Sequence, residues 1–548
     1  MNKQALLITI ICISFGRGSF AQGMWTWLRG SDTAYHAPNL PHTFGTQGVE
    51  SPANEPVGLF SPAHWTDTSG NFWMYGGQAG WVTGAPMGDM WRYNPLTNNW
   101  TWMKGPGTIA PPPVMGSLRV ASVNSNPGGR AWAPATWVDY KGDLWMYGGN
   151  DEYNDLGDMW RYNIASNTWT WMAGTASPNM QPVYGTKGVE AAGNRPGGRS
   201  DCGAAWVDSA GYLWFYGGTS QYGQYFYGDM WRYNTTTNYW AWMGGSNVHD
   251  SPFVYGTKGV PAATNTPGAR STLCPWTDAA GNFWLYGEET GADIRERNDL
   301  WKYDVSIGQW AWMAGEDTAR SKGHYGNHCS TSVDFTACAR VNNEARWTDD
   351  YGNFWFYSGG VIGNSWYTND LWYFNPVSLE FTLVNGGNTT GLGPVFGTRG
   401  VAAINNNPGG RGGAVSWRSK AGELYLFGGV LNNMGWSNDL WKFTIDTNCG
   451  RMREHDPLLV EGLNSSDPHI KIYPNPFASQ TQIVSDEDFY NQSLAIYNAV
   501  GQQVKQIDNI SGSAITLYRD NLPPGLYFAR LRRADGTCTS LKIMITDN

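Results

Sequence analysis

Apolar and polar residues alternate along short stretches of this chain, and the alternating stretches recur. GDMWRYNPLTNNWTWM at residues 88–103 returns as GDMWRYNIASNTWTWM at 157–172 and as GDMWRYNTTTNYWAWM at 228–243. Weaker copies begin at Asn298 and Asn369, and a sixth, NDLWKFT at 438–444, has no second half. A period of two places alternate side chains on opposite faces of a strand, so each copy predicts two strands joined by a turn.

The copies define a long repeat. Their first tryptophans follow one another at intervals near 70 residues, and they are Trp91, Trp160, Trp231, Trp301, Trp372 and Trp441. Upstream of each later copy lie an arginine, a WTD or WVD segment (WRS before the sixth copy), a glycine turn and an aromatic strand that mostly ends in Gly-Gly. The unit therefore contains four strands, and the sequence predicts an all-β, six-bladed β-propeller over residues 22–449.

The incomplete sixth copy has a candidate partner at the other end of the chain. MWTWL at 24–28 is a spare copy of the missing strand, so we expect Trp25 and Trp27 to complete the sixth blade and close the ring. In this order of elements, residues 24–444 resemble the kelch and galactose-oxidase-like propellers. That resemblance implies a binding platform in most cases and an enzyme in a minority.

Loop lengths indicate which face could carry function. The turns within each hairpin are short, whereas the loops after the second and fourth strands of a unit are long, which is typical of binding loops on a rigid scaffold. Four tryptophans lie outside the repeat positions, namely Trp81, Trp132, Trp366 and Trp436. From the loops after the second strands we select as candidate ligand-binding residues Trp81, Tyr153, Tyr222, Tyr225, Trp366 and Trp436. The alternative is that these rings pack over the blades.

Charge and composition exclude some classes of protein. Residues 1–21 carry a positive start, an apolar run and the small-residue site Ser19–Ala21, which together predict a signal peptide. Its removal takes away Lys3 and Arg17 and lowers the net charge from −9 to −11. An acidic exported chain without a basic cluster is a poor candidate for nucleic-acid binding, and we expect no transmembrane segment.

Cysteine and histidine positions give few signs of chemistry. Cys329 and Cys338 lie close in one loop and are the best candidates for a disulfide; Cys202 and Cys274 could pair or remain buried thiols. The repeated arginines and the aspartates of the GD and ND pairs are expected to form ion pairs. We assign no catalytic residue, no metal ligand and no cofactor.

The chain changes character after Cys449. Residues 450–467 read as a polar linker, and 468–548 predict a small β-sandwich. YPNPF at 473–477, IYNAVG at 496–501 and PGLYF at 524–528 resemble the C-terminal sorting domain of the type IX secretion system. The resemblance implies the secretion machinery as a partner and a secreted or outer-membrane surface location. A plain adhesive or carbohydrate-binding sandwich is the alternative.

These observations favour a non-catalytic protein that binds a glycan or a protein ligand through the long-loop face. The runner-up is a glycan-active lyase, hydrolase or oxidase with its site at the propeller mouth.

Overall fold

A computed structural model of the chain describes most residues between Gly23 and Thr546. The described ranges are 23–33, 42–79, 85–202, 204–221, 223–272, 274–290, 295–342, 345–361, 366–432, 435–446, 449, 470–475, 477–498, 503–532 and 538–546. The signal peptide and the whole linker expected from the sequence lie outside them. The chain divides into two compact units, Met1–Arg451 and Met452–Asn548. All regular elements of the described part are β-strands, so it holds no helix that could span a membrane.

The first unit contains 32 of the described strands. In chain order they begin with β1 (Met24–Arg29), β2 (Ala63–Thr66), β3 (Phe72–Tyr75), β4 (Met90–Asn94), β5 (Asn99–Lys104), β6 (Ala135–Val138), β7 (Leu144–Tyr147), β8 (Met159–Asn163), β9 (Thr168–Ala173), β10 (Ala204–Val207) and β11 (Leu213–Tyr216). They continue with β12 (Thr219–Ser220), β13 (Tyr225–Phe226), β14 (Asp229–Asn234), β15 (Tyr239–Gly245), β16 (Cys274–Thr277), β17 (Phe283–Thr290), β18 (Arg295–Asp304), β19 (Gln309–Ala314), β20 (Thr331–Ser332), β21 (Arg346–Thr348) and β22 (Phe354–Tyr357). The last are β23 (Gly360–Val361), β24 (Trp366–Tyr367), β25 (Leu371–Asn375), β26 (Glu380–Asn385), β27 (Arg411–Gly412), β28 (Val415–Arg418), β29 (Leu424–Phe427), β30 (Val430–Leu431), β31 (Gly435–Trp436) and β32 (Leu440–Thr444).

Four-stranded antiparallel sheets dominate this unit, and we number them along the chain. Sheets 1 to 4 have the strand orders β2-β3-β4-β5, β6-β7-β8-β9, β10-β11-β14-β15 and β16-β17-β18-β19. Sheet 5 has the order β21-β22-β25-β26 with the short β20 added outside β26, and sheet 6 has the order β28-β29-β32-β1. The prediction of four antiparallel strands per repeat is therefore confirmed.

A carboxylate organises the first turn of most sheets. In sheet 1 the backbone N–H of Asn71 donates to Asp67 Oδ1 at 2.9 Å, and the Trp73 indole donates to Asp67 Oδ2 at 2.8 Å. Gly70 follows at a φ of +90°, where a side chain would be strained. The same indole-to-aspartate bond recurs in sheets 2 to 5, so these aspartates are turn-forming residues.

The core lies between neighbouring sheets. In sheets 3, 4 and 6 the first-strand tryptophan stacks on a second-strand phenylalanine of the next sheet; Trp206 and Phe283 have centroids 4.9 Å apart and planes 9° apart. In all six sheets the first-strand indole donates to a backbone carbonyl of the next sheet, over 2.8–3.3 Å. In sheet 6 the donor Trp417 bonds to the Trp73 carbonyl of sheet 1 and stacks on Phe72. The repeated aromatic residues are thus the packing elements of the sheets.

The N-terminal strand β1 completes sheet 6. It pairs antiparallel with β32, with Trp25 opposite Phe443 and Trp27 opposite Trp441. The Gly400 N–H donates to the Trp27 carbonyl at 2.7 Å, as the Gly188 N–H does to the Trp242 carbonyl in sheet 3. The strand from the start of the chain therefore takes the outer position that the last repeat leaves open.

The second unit forms one sheet from five strands, which are β33 (Ile470–Tyr473), β34 (Gln480–Asn498), β35 (Gln503–Tyr518), β36 (Gly525–Arg532) and β37 (Cys538–Ile545). The long β34 pairs with β33 near its start and with β36 near its end. Four register shifts interrupt its pairing with β35, and such bulges bend a strand. The unit thus differs from the two-sheet sandwich expected from the sequence because β34 joins both halves.

Candidate functional site

Buried ion pairs anchor the loops that lead into sheets 2 to 6. Each repeated arginine pairs with the aspartate before the third strand of its sheet at 2.7–3.0 Å, and the pairs are Arg130–Asp158, Arg199–Asp229, Arg270–Asp299, Arg340–Asp370 and Arg411–Asp439. Each guanidinium also donates to the carbonyl of the residue after the last tyrosine or phenylalanine of the second strand, for example that of Gly148 at 3.1 Å. The pairing expected from the sequence is confirmed, and its role is to fix the end of each loop.

Sheet 1 lacks this pair. Leu59 occupies the position that arginine has in the other sheets. Its carbonyl accepts a hydrogen bond from the Gly429 N–H, and the Arg130 carbonyl accepts the equivalent bond from the Gly77 N–H. Asp89, the matching aspartate, is 2% exposed. Its Oδ1 accepts from the Gly107 N–H at 2.7 Å, and its Oδ2 has no hydrogen-bond donor among the described residues. Burial raises the pKa of Asp89 to about 6, and the hydrogen bond from the Gly107 N–H opposes this rise only in part.

The residue two positions after each arginine, or after Leu59, adopts an unusual backbone conformation. We call these six the mouth residues, and they are Ser61, Trp132, Asp201, Thr272, Asn342 and Gly413. All six have φ between +44° and +62°, which lies in the left-handed region. This conformation is uncommon for residues other than glycine, particularly for bulky or β-branched ones, and such residues cluster at functional sites.

Backbone hydrogen bonds link the mouth residues from sheet to sheet. The Asp201 N–H donates to the Trp132 carbonyl at 2.8 Å, and the Thr272 N–H donates to the Asp201 carbonyl at 3.4 Å. From sheet 5 to sheet 1, the Gly413 N–H donates to the Asn342 carbonyl at 3.2 Å, and the Ser61 N–H donates to the Gly413 carbonyl at 2.9 Å. The Ala133 N–H then donates to the Ser61 carbonyl at 3.1 Å, which joins sheet 1 to sheet 2. The mouth residues are thereby held in one rigid arrangement.

A cavity of about 440 Å³, the mouth cavity, opens at this point. Trp132, Asp201, Thr272 and Asn342 line it together with Glu152, and Phe226 adds a second aromatic ring. Its volume lies within the range of ligand-binding pockets. Sheets 1 to 5 or their loops all contribute to its wall, so the cavity depends on the joint placement of several sheets.

Trp132 is the aromatic residue best placed for a ligand. It is 37% exposed, and its ring meets Phe60 edge-on with centroids 5.7 Å apart. Its φ is +60°, so the backbone that presents the ring is itself constrained. A tryptophan fixed at the edge of a polar cavity offers a flat apolar face for stacking.

A buried carboxylate supports one wall of the cavity. Asp155 is 1% exposed and accepts from the Ser200 hydroxyl at 2.7 Å and from the Gln221 N–H at 2.5 Å. It also accepts from the Asn150 amide at 3.2 Å. Ser200 and Asn150 both line the cavity, so Asp155 positions lining groups from sheets 2 and 3.

The aromatic residues selected from the sequence are dispersed. Tyr153 is 66% exposed and donates its hydroxyl proton to Glu152 Oε1 at 3.0 Å, which places it beside the cavity. Tyr225 is half-buried against His249, and Trp366 is half-buried beside Gly391. Trp436 is 2% exposed and packs with Phe60. Its ring is therefore buried, contrary to the expectation of a ligand-binding residue. Trp81 and Tyr222 lie outside the described residues.

The mouth residues were missed because they lie just before the first strands and outside the selected loops. Trp132 stands out in the sequence as a tryptophan outside the repeat positions, but nothing in its neighbourhood links it to Asp201 or Asn342. The residues between the repeated arginine and the next tryptophan vary at every position. No signal in the sequence therefore singled out the second of them.

The predicted disulfide between Cys329 and Cys338 is wrong. Cys329 pairs with Cys449, which is 120 residues away along the chain. Cys338 is a buried free thiol whose sulfur accepts from Arg340 and from the Tyr325 hydroxyl, each at 3.4 Å. Its side chain is therefore directed into the ion pair of sheet 5 and away from Cys329.

Two comparisons with known proteins bear on the chain. Residues 471–546 match the family of secretion system C-terminal sorting domains. This match confirms the resemblance of the second unit and indicates export by the type IX system, with the protein either secreted or attached to the cell surface. A comparison of the chain with curated proteins found no match.

Proposed function

We propose that residues 24–449 form a closed six-bladed propeller of the kelch type and that its mouth cavity binds a glycan. The sorting domain would deliver this binding protein to the cell surface or the medium. The mouth cavity with its constrained, exposed Trp132 is the observation on which the proposal rests.

Three sets of contacts support the closed ring. The first strands of successive sheets lie side by side, and β28 of sheet 6 lies beside β2 of sheet 1. The indole of Trp417 bonds across the same junction, as does the Ser61 N–H with the Gly413 carbonyl. β1 also pairs with the outer edge of β32. The inner strand of sheet 6 therefore lies against sheet 1, and its outer strand comes from the N-terminal segment. Radial packing of this kind is how propellers bury the faces of their sheets.

The lining of the cavity supports a glycan more than an apolar ligand. Amides, hydroxyls and carboxylates surround Trp132, and sugars present hydroxyls around an apolar ring face. The stacking ring would bind that face, and the polar side chains would exchange hydrogen bonds with the hydroxyls.

A glycan binding screen of the mature chain tests the proposal. We expect saturable binding by the native protein and at least a tenfold loss for Trp132→Ala, in line with hot-spot aromatic residues. Tyr140→Ala is the matched control, because Tyr140 is 74% exposed in the first turn of sheet 2. Equal losses for both variants, or unchanged binding by Trp132→Ala, would contradict a site at the mouth.

The same samples test the enzyme alternative. Glu152 and Asp201 line the cavity together, and paired carboxylates are the groups that glycosidases use. Release of new reducing ends by the native protein, lost in Glu152→Gln, would favour a hydrolase over a binding protein.

A further inference from the structure

The formal charges on the described wall of the mouth cavity have one sign. Among its described lining residues the ionisable side chains are the carboxylates of Glu152 and Asp201. Arg346 is not among these lining residues; it lines a separate cavity of about 30 Å³, which shares Thr272 with the mouth cavity. That volume is about the share of one water molecule in the liquid, so a sugar ring cannot reach the guanidinium through it.

The two carboxylates come from different sheets and are both held in unusual backbone conformations. Glu152 lies in the loop after β7 with a φ of +93°, and its N–H donates to Asn150 Oδ1 at 2.8 Å. Asp201 has a φ of +44° and is tied to Trp132 through its N–H. Residues held in sparsely populated conformations at a cavity wall are typical of binding sites. The carboxylate charge is therefore placed at the cavity by constrained backbone, together with the tryptophan.

The neutral part of the lining is rich in hydrogen-bonding groups. The lining residues with side-chain amides or hydroxyls are Gln78, Asn150, Asn342, Ser200, Thr219, Ser271 and Thr272. A ligand that buried these groups without bonding to them would lose affinity, because each unpaired polar group costs free energy. A lysine side chain has a single polar end, whereas a sugar carries hydroxyls around its ring.

We propose that the mouth cavity selects a sugar with a free amine, in the form of a glucosamine-type residue of an oligosaccharide. This inference rests on the proposed glycan-binding function and adds the class of sugar. The protonated amine pairs with the carboxylates of Asp201 and Glu152, the ring face stacks on Trp132, and the amides bond to the hydroxyls. Acidic sugars are disfavoured, since the same carboxylates repel them.

The test uses the mature full-length protein and three trisaccharides of equal length, made of glucosamine, N-acetylglucosamine or β-1,4-linked glucose. Calorimetry should give an affinity for the glucosamine trisaccharide at least tenfold above that for the other two. Because the preference is electrostatic, it should shrink as ionic strength rises from about 0.01 M to about 1 M, over which the Debye length falls from about 30 Å to about 3 Å.

Isosteric variants assign the preference to the carboxylates. Asp201→Asn and Glu152→Gln should each lower the affinity for the glucosamine trisaccharide several-fold and leave the glucose trisaccharide unaffected. Asp334→Asn, which removes an exposed carboxylate outside the cavity wall, should change neither. Melting temperatures of all variants verify that they fold.

The outcomes separate the two proposals. Binding of the glucose trisaccharide as tight as that of the amine form, lost in Trp132→Ala, would overturn the amine preference and leave glycan binding in place. Absence of binding to any glycan in a broad screen would overturn both. Trilysine binding as tightly as the glucosamine trisaccharide, with the same loss in Asp201→Asn, would overturn the sugar class in favour of a basic peptide.

Discussion

The unpaired aspartate of sheet 1 allows a sharp test of how charge is accommodated in this fold. Asp89 is buried as deeply as its counterparts, but Leu59 occupies the place of the arginine. Its pKa of about 6 lies above the ordinary value of 3.8, so the folded protein holds this proton more tightly than the unfolded chain. Between these two values the unfolded state loses the proton first, and stability falls as pH rises.

The size of the effect follows from the two pKa values. Each tenfold change in the proton equilibrium corresponds to about 1.4 kcal/mol, so ionising Asp89 should cost about 3 kcal/mol once the pH exceeds 6. Asp89→Asn removes the charge with little change in shape. We expect the variant to gain stability over the native protein above pH 6 and to show little gain near pH 4.

Asp370 provides the opposite control. Burial alone would raise its pKa, but the ion pair with Arg340 outweighs burial and holds the pKa below its usual value. Its contribution to stability is therefore present above pH 3.8 and lost as pH falls further. Asp370→Asn leaves Arg340 buried without its counter-charge and should cost about 3–5 kcal/mol at neutral pH.

Chemical unfolding of the mature protein between about pH 2 and pH 8 measures both effects, because the Asp89 effect develops above pH 3.8 and the Asp370 effect is lost below it. A rescue variant, Leu59→Arg, should also remove part of the loss at high pH, since it restores the pair of the other sheets; Leu59→Gln serves as its uncharged control. If native protein and Asp89→Asn lose stability in parallel as pH rises, the reasoning about the buried carboxylate is refuted.

Three further predictions concern the N-terminal strand β1, the disulfide and His64. Deleting residues 22–28 should lower the melting temperature sharply, because Trp25 is fully buried and β32 would become an open edge; a melting temperature equal to that of the native chain would argue against closure by β1. Cys449→Ser should destabilise the first unit by up to about 5 kcal/mol, the chain-entropy value for so long a loop, whereas Cys338→Ala should preserve the disulfide in a non-reducing peptide map. Burial and the nearby Arg346 lower the pKa of His64 to about 3, below its ordinary 6.5, so its neutral form is favoured and stability falls as pH drops below 6.5. His64→Gln should thus be more stable than the native protein by about 2 kcal/mol near pH 5, and a protonated His64 seen by NMR at that pH would contradict this.

The repeat made much of the fold predictable. Strand number, strand order and the Arg–Asp pairs all follow from residues that recur at one register, because equivalent positions meet equivalent partners in every sheet. The repeat also predicted the place of β1. MWTWL has the alternating tryptophans of the fourth strand, which the sixth copy lacks, and it precedes the first repeat, which has its own fourth strand.

Features that occur only once in the chain could not be predicted from the repeat. Cys329 lies nearer to Cys338 along the chain than to Cys449, but the side chain of Cys338 is directed to Arg340 and Tyr325. Trp436 resembles the other loop aromatics, but Phe60 of the neighbouring sheet covers it. The mouth cavity combines residues that are far apart in the sequence and share only their distance from an arginine. Each depends on contacts between sheets, which a pattern within one repeat does not contain.

The disulfide also determines how the first unit responds to mechanical force. Any tension applied through residues after Cys449 reaches that cysteine before it reaches β32, whose end at Thr444 pairs with Met24. The covalent bond to Cys329 carries the load into the loop before sheet 5, so the hydrogen bonds between β32 and β1 are shielded from peeling. During translocation, or under shear at a cell surface, the strand pair that joins the two ends of the unit would therefore lie outside the load path.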